Sequence, residues 1–341
     1  MTARKNFKRL VRARAARTGE SYTAALRHFL PTVEETTVTD HHPFRLAVGQ
    51  LPVHGDPTDA AALRDAGTRI RDLMRRAHRT GARLLHLPEG ATCFPDKLVV
   101  SSTPGAPGPA DWSTTAWDVL HAELEQTAAL AGELSLWTVL GSTHRLTPPL
   151  RPHNSLYVLS AAGAVHTRYD ERFMSHTKTT FMYSPGREPV TFEVDGRRFG
   201  CALGIECHFP EVFGEYERLD VDCVLFSSTG DGAGNAATFA LECRGHAATN
   251  GFWVSFAVPP QAEASASSGV VAPGGRWLGQ CSPDTDPGTD LATDLVTVEL
   301  DEGAPDVEVA VTKARPWRRV ARQASTADPV DDPRSRERAA F

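Results

Sequence analysis

Between residues 44 and 312, short apolar runs of strand length alternate with longer amphipathic stretches, and this alternation most constrains the fold. Residues 44–48, 84–87, 136–141, 155–159, 200–205, 221–226 and 253–257 read as strands. Residues 60–80, 117–131, 212–218 and 238–249 read as helices. In the first of these, Leu63, Ile70, Leu73, Met74 and Ala77 share one face, so that face has to be buried against a sheet. Strand and helix following one another in this way predict a layered α/β domain.

The chain has 341 residues, 41% hydrophobic and 23% charged, which suits one large soluble domain or two small ones. Its formal charge of −6 gives the whole chain no electrostatic reason to seek nucleic acid or an anionic membrane. No apolar run approaches the roughly 18 residues that a membrane span needs. The first residues lack the apolar stretch and cleavage site of a secretory signal, so a cytoplasmic location is expected. Cys93, Cys201, Cys207, Cys223, Cys243 and Cys281 form no CxxC pair and are expected to be reduced thiols. No metal or cofactor motif is legible: Gly230 to Gly234 does not match GxGxxG, and His41 and His42 read as solvated linker residues.

Three regions are expected. Residues 1–40 form a basic extension and linker, in which Arg4, Lys5, Lys8, Arg9, Arg12, Arg14 and Arg17 precede the first acid, Glu20. Phe7, Leu10 and Val11 recur there at helical spacing, which suits a helix that packs on the domain or docks a partner; such a tract also suits nucleic acid or acidic surfaces. Residues 41–312 form the body. Residues 313–341 have almost nothing to bury and read as a mobile tail, with Trp317 pinning its first part.

Four segments in the body carry a further signal. FRLAVGQLPVHGDP is followed, after a helix, by GARLLHLPEGATCFP. WTVLGSTHRL is followed by HNSLYVLSAAGAVHTRYDERFM. FGCALGIECHFPEVF and ALECRGHAATNGFWVSFA complete the set. By their order and spacing, residues 44–300 resemble the carbon–nitrogen hydrolase (nitrilase) superfamily. The resemblance implies an αββα sandwich, paired as a homodimer or larger assembly through a helix beginning near Phe209. It also implies a cysteine thiolate that attacks an amide or nitrile carbon, a glutamate that moves protons, and a lysine that stabilises the oxyanion.

The resemblance puts Glu89 at the acid/base position. The anchors Phe199-Gly200 and Phe209-Pro210-Glu211 put the nucleophile position at Gly204, and Tyr169-Asp170 puts the lysine position at Glu171. A second glutamate of the family falls at Thr179. Glycine has no nucleophile, and a carboxylate at 171 would repel a developing oxyanion. Cys207, three residues along, is the alternative nucleophile if the turn re-forms around it; otherwise it is a packing thiol. Lys178 and Arg172 are candidate replacement cations. Glu206 and His208 are expected at the rim of the pocket, near Gly204.

Glu89 and Glu171 facing one pocket would raise a pKa or hold a cation. The possibilities are an amine-bearing ligand, a divalent metal held with His208, or two-carboxylate acid/base chemistry. The plain alternative is a pair pointing apart, bound to Arg168 or Arg172. Three functions follow: a non-hydrolytic protein binding a small amide, amine or nitrile; an enzyme built on Glu89 and Glu171; and an amidohydrolase using Cys207. No cofactor or metal is assigned.

Overall fold

The computed structural model describes residues 44–230, 235–262, 266–282 and 293–325. The expected N-terminal helix and the His41-His42 linker lie outside the described residues, as does most of the glycine cluster at 230–234.

Two six-stranded sheets form the centre. The first contains β1 (Phe44–Gln50), β2 (Leu84–His86), β3 (Trp137–His144), β4 (His153–Leu159), β5 (Val165–Asp170) and β12 (Asp294–Leu300), in the order β12-β1-β2-β3-β4-β5. The second contains β6 (Thr191–Val194), β7 (Arg197–Leu203), β8 (Cys223–Ser227), β9 (Trp253–Ala257), β10 (Gly269–Val271) and β11 (Trp277–Gln280), in the order β11-β10-β9-β8-β7-β6. The middle strands β1-β2-β3 and β7-β8-β9 are parallel, and the flanking ones antiparallel.

The strand pleat assigns each residue to a layer. Leu46 and Val48 face the second sheet and pack with Phe199, Leu225 and Trp253. Ala47, between them, faces the other way, onto Ile70, Leu73 and Met74 of α1 (Ala60–Arg79). Ala131, from α2 (Trp117–Leu134), joins the same layer. On the far side, Ala202, Val224 and Val254 pack under Val212 and Phe213 of α3 (Pro210–Arg218) and Phe239 and Cys243 of α4 (Asn235–Asn250). The layers are therefore α, β, β and α, as the resemblance implies. Strands buried on both faces have continuous apolar sequences, which is why β8 and β9 are legible as runs.

α1 starts where Asp59 Oδ1 accepts from the amides of Ala61 (2.9 Å) and Ala62 (3.0 Å). Its last turn carries Arg76, His78 and Arg79, which suit the negative end of the helix dipole. Among the described residues, no helix is long and apolar enough to cross a membrane.

The expected tail begins differently. Residues Arg315–Ser325 form a helix, α5. Buried Arg315 ties it down by bridging Asp220 and Asp222, each at 2.9 Å. Trp317 is exposed and does not do the pinning expected of it.

A polar strut joins the two sheets beside the strand ends that matter. His86 is fully buried; its Nδ1 meets Ser255 Oγ and its Nε2 meets Ser227 Oγ, both at 2.8 Å. Ser227 spends its hydrogen on Leu87 O (2.9 Å), so His86 must donate to it from Nε2. Burial pushes the imidazole down to about 3, which keeps it neutral.

Candidate functional site

Five segments bring side chains and one amide to the ends of neighbouring strands. Glu89 follows β2, in a loop that continues the ladder to β3 through Leu87 N to Val139 O (2.8 Å) and Gly141 N to Pro88 O (3.1 Å). Gly141 is required there: a Cβ would lie 2.3 Å from Gly90 N and 2.5 Å from Pro88 O. Asn154 lies in β4, Glu171 directly follows β5, and Thr229 follows β8. Lys178 opens the π-helical turn Lys178–Met182.

Lys178 Nζ lies 2.5 Å from Glu89 Oε1, 2.8 Å from Glu171 Oε2 and 3.1 Å from Glu171 Oε1. Asn154 Nδ2 donates to the same two acids, at 2.7 Å to Glu89 Oε1 and 2.6 Å to Glu171 Oε2. Glu89 Oε2 accepts from Thr229 N at 2.9 Å. The side chains are 9% (Lys178), 1% (Glu89) and 0% (Glu171) exposed. Three carboxyl oxygens from two acids therefore lie within hydrogen-bonding reach of the ammonium.

The cluster holds two acids and one base. Burial pushes Glu171 up to about 8; Lys178 opposes the shift and Glu89 adds to it. The Lys178 pKa is raised: burial favours the neutral amine, but the two carboxylates outweigh it. The acids do not point apart, and the arginines offered as partners are used elsewhere. Arg168 forks onto Asp170 (2.7 and 3.0 Å), and Arg172 reaches Glu215 (2.7 Å). Of the two candidate cations, it is Lys178 that reaches the acids. Thr179, the expected second glutamate position, is exposed.

Gly204 follows β7, and its amide donates to Ser227 O at 2.9 Å. Its φ is +67°, a left-handed conformation that glycine adopts without cost. A Cβ here would lie 2.0 Å from Glu171 Oε1 and 2.9 Å from Lys178 Nζ. Gly204, where the resemblance puts the nucleophile, thus lies against the ion cluster, and its surroundings leave no room for a side chain.

Glu206 is not a rim residue. It is wholly buried and accepts from Tyr169 Oη (2.6 Å), Arg172 N (2.7 Å), Leu203 N (2.8 Å) and Phe173 N (3.2 Å). These bonds tie the segment after β5 to the end of β7, which holds Glu171 beside Gly204.

Cys207 does not join the cluster. Its Sγ packs 3.7 Å from both Cys243 Sγ and Phe239 O, in the helical layer outside the second sheet. Burial pushes the thiol well up, away from the thiolate an attack requires. His208 is half-exposed and pairs with Glu242 at 2.8 Å, so it makes no common site with Glu89 and Glu171. Among the described residues, no group of three or more His, Cys, Asp or Glu side chains could hold a metal. Asn154 and the Thr229 amide were not expected from the sequence. The signal for Asn154 was its place in β4, one residue before Ser155, which pairs with Asp170.

A sequence profile of the carbon–nitrogen hydrolase family matches residues 45–303. The chain belongs to the carbon–nitrogen hydrolase family. Among curated proteins, none matches it by sequence. Among solved structures it is similar to a cysteine-to-alanine mutant of the Nesterenkonia AN1 amidase from the nitrilase superfamily, at 18% identity and a TM-score of 0.58, over 82% of this chain and 97% of that one. Another mutant of that amidase carries the acetamide moiety of fluoroacetamide, added covalently at the active-site cysteine; identity is 18%, TM-score 0.57, and coverage 81% and 97%. Glutamine-dependent NAD+ synthetase from Acinetobacter baumannii is similar at 16% identity and a TM-score of 0.56, over 76% of this chain and 45% of that one. Likeness at this level concerns the fold alone.

Proposed function

We propose that this family member does not hydrolyse carbon–nitrogen bonds through a thiol and that it works by binding a small ligand. One observation carries the reading: where a nucleophile belongs, Gly204 lies against a closed Glu89–Lys178–Glu171 cluster with no space for a side chain. The resemblance puts the lysine at 171 and a glutamate at Thr179. Here a glutamate stands at 171 and a lysine at 178, so acid and base have changed order while the charges kept their sum. That exchange leaves no free ammonium to meet an oxyanion, because Lys178 is held by both acids.

Lys178 already fills the place between the acids that an amine-bearing ligand would take, so the ligand class we propose is an uncharged amide or nitrile. Cys207 is disfavoured as a nucleophile because it is buried in another layer with a raised pKa. Pairing of two copies through α3 belongs to the same proposal. Intact-mass measurement after incubation with fluoroacetamide tests the reading. The expected spectrum shows unmodified protein; one acetamide adduct that disappears in Cys207→Ala would restore the thiol mechanism.

A further inference from the structure

A second cavity lies away from the ion cluster, between α2 and the outer face of β4 and β5. It measures about 800 Å3, within the range of about 300–1,000 Å3 that is usual for small-molecule sites. Leu120, Leu124 and Ala128 of α2 and Leu159 of β4 line its apolar wall. Tyr157, His144, Arg168 and Arg145 line its polar part.

The hydrogen bonds of that polar part have a fixed direction. Arg168 gives Nε and Nη2 to Asp170 and Nη1 to His144 Nε2, the last at 2.9 Å. A guanidinium only donates, so Nε2 is an acceptor and the imidazole hydrogen is on Nδ1. Nδ1 therefore donates to Tyr157 Oη, at 2.6 Å. Burial and Arg168 push His144 down to about 4, so at neutral pH this arrangement persists. The phenol thus accepts from His144, and among the described residues its own hydrogen has no acceptor. It is a donor left over on a cavity wall.

Arg145 stacks 5.5 Å over the Trp117 ring and has no carboxylate partner among the described residues. Asp118 and Glu125 also line the cavity, Glu125 being held by His121 at 3.2 Å. With those acids present, the site suits a head group with at most one negative charge.

We propose that this cavity binds a medium-chain acyl compound. The carbonyl or carboxylate oxygen of the ligand takes the Tyr157 hydrogen, and its chain lies along Leu120, Leu124, Ala128 and Leu159. The cavity is separate from Glu89, so the inference holds whatever the fate of the proposed function.

Calorimetric titration of the full chain with octanoate and with octanamide tests it. Saturable binding of at least one ligand is expected. Tighter binding of octanoate assigns the head to an acid; equal or tighter binding of octanamide assigns it to an uncharged acyl group. Tyr157→Phe, which removes only the hydroxyl, is expected to weaken binding about three- to tenfold, the value of one hydrogen bond. Ala129→Trp, at an exposed position on the cavity wall, is expected to abolish binding while leaving the thermal midpoint in place. Absence of saturable binding by both ligands, or unchanged affinity in either variant, would overturn the proposal.

Discussion

Gly204 is held by its neighbours as much as by its backbone. Placing an L-residue at φ +67° costs about 1–2 kcal/mol, and the Cβ meets Glu171 Oε1 as well. Gly204→Ala is therefore expected to lose at least that much in chemical denaturation, and Gly204→Cys to gain no hydrolysis. Lys178→Met leaves the buried acids Glu89 and Glu171 without their cation, which costs about 3–5 kcal/mol; the denaturation midpoint is expected to fall accordingly. Glu171 gives a pH signature. Its folded pKa of about 8 lies above the unfolded value of 4.5, so between these the native state holds a proton that the unfolded chain does not. Its contribution to stability is greatest at the acid end of this window and is lost as pH rises towards 8. Thermal midpoints of the wild type minus those of Glu171→Gln are expected to fall from pH 5 to pH 8; a flat difference would contradict the assignment. At this scale, Gly204 and Glu171 were legible because both stand at fixed distances from anchor motifs. Lys178 was legible only as one of two candidates, because the chain between Glu171 and Lys178 turns through an irregular segment that spacing does not describe.

The elements around the site are positioned by Glu206. Its carboxylate ends four donors from two segments, and a carboxamide at this position has one acceptor oxygen and presents N–H to N–H. Glu206→Gln is expected to cost about 1–3 kcal/mol for each donor left unpaired, read as a lower denaturation midpoint. The sequence suggested the rim for Glu206 because it counted distance from Gly204 and could not see the donors arriving from β5. The same reasoning explains which strands were legible. β8 and β9 are buried on both faces and show as apolar runs. β6 alternates exposed and buried over four residues, and β11 is short and half-buried, so neither gave a run to read. α5 was hidden for another reason: its anchor is the buried guanidinium of Arg315, and a composition argument counts arginine as something to expose.

In the whole molecule, the alternation of short runs and amphipathic helices was enough for a layered α/β domain, because each β face and each helix stripe has to be buried; the four αββα layers came from the family resemblance. The function was less legible, because it depends on whether charged groups from separate strands meet, and in what order. Here they meet, the cluster is closed, and the thiols lie elsewhere. The most direct test is ammonia release by the full chain from a panel of amides, nitriles and carbamoyl compounds, with and without iodoacetamide. The expected result is no release above background in either condition. Release that iodoacetamide abolishes would contradict the loss of thiol catalysis, and release that survives it would move the activity to Glu89 and Glu171.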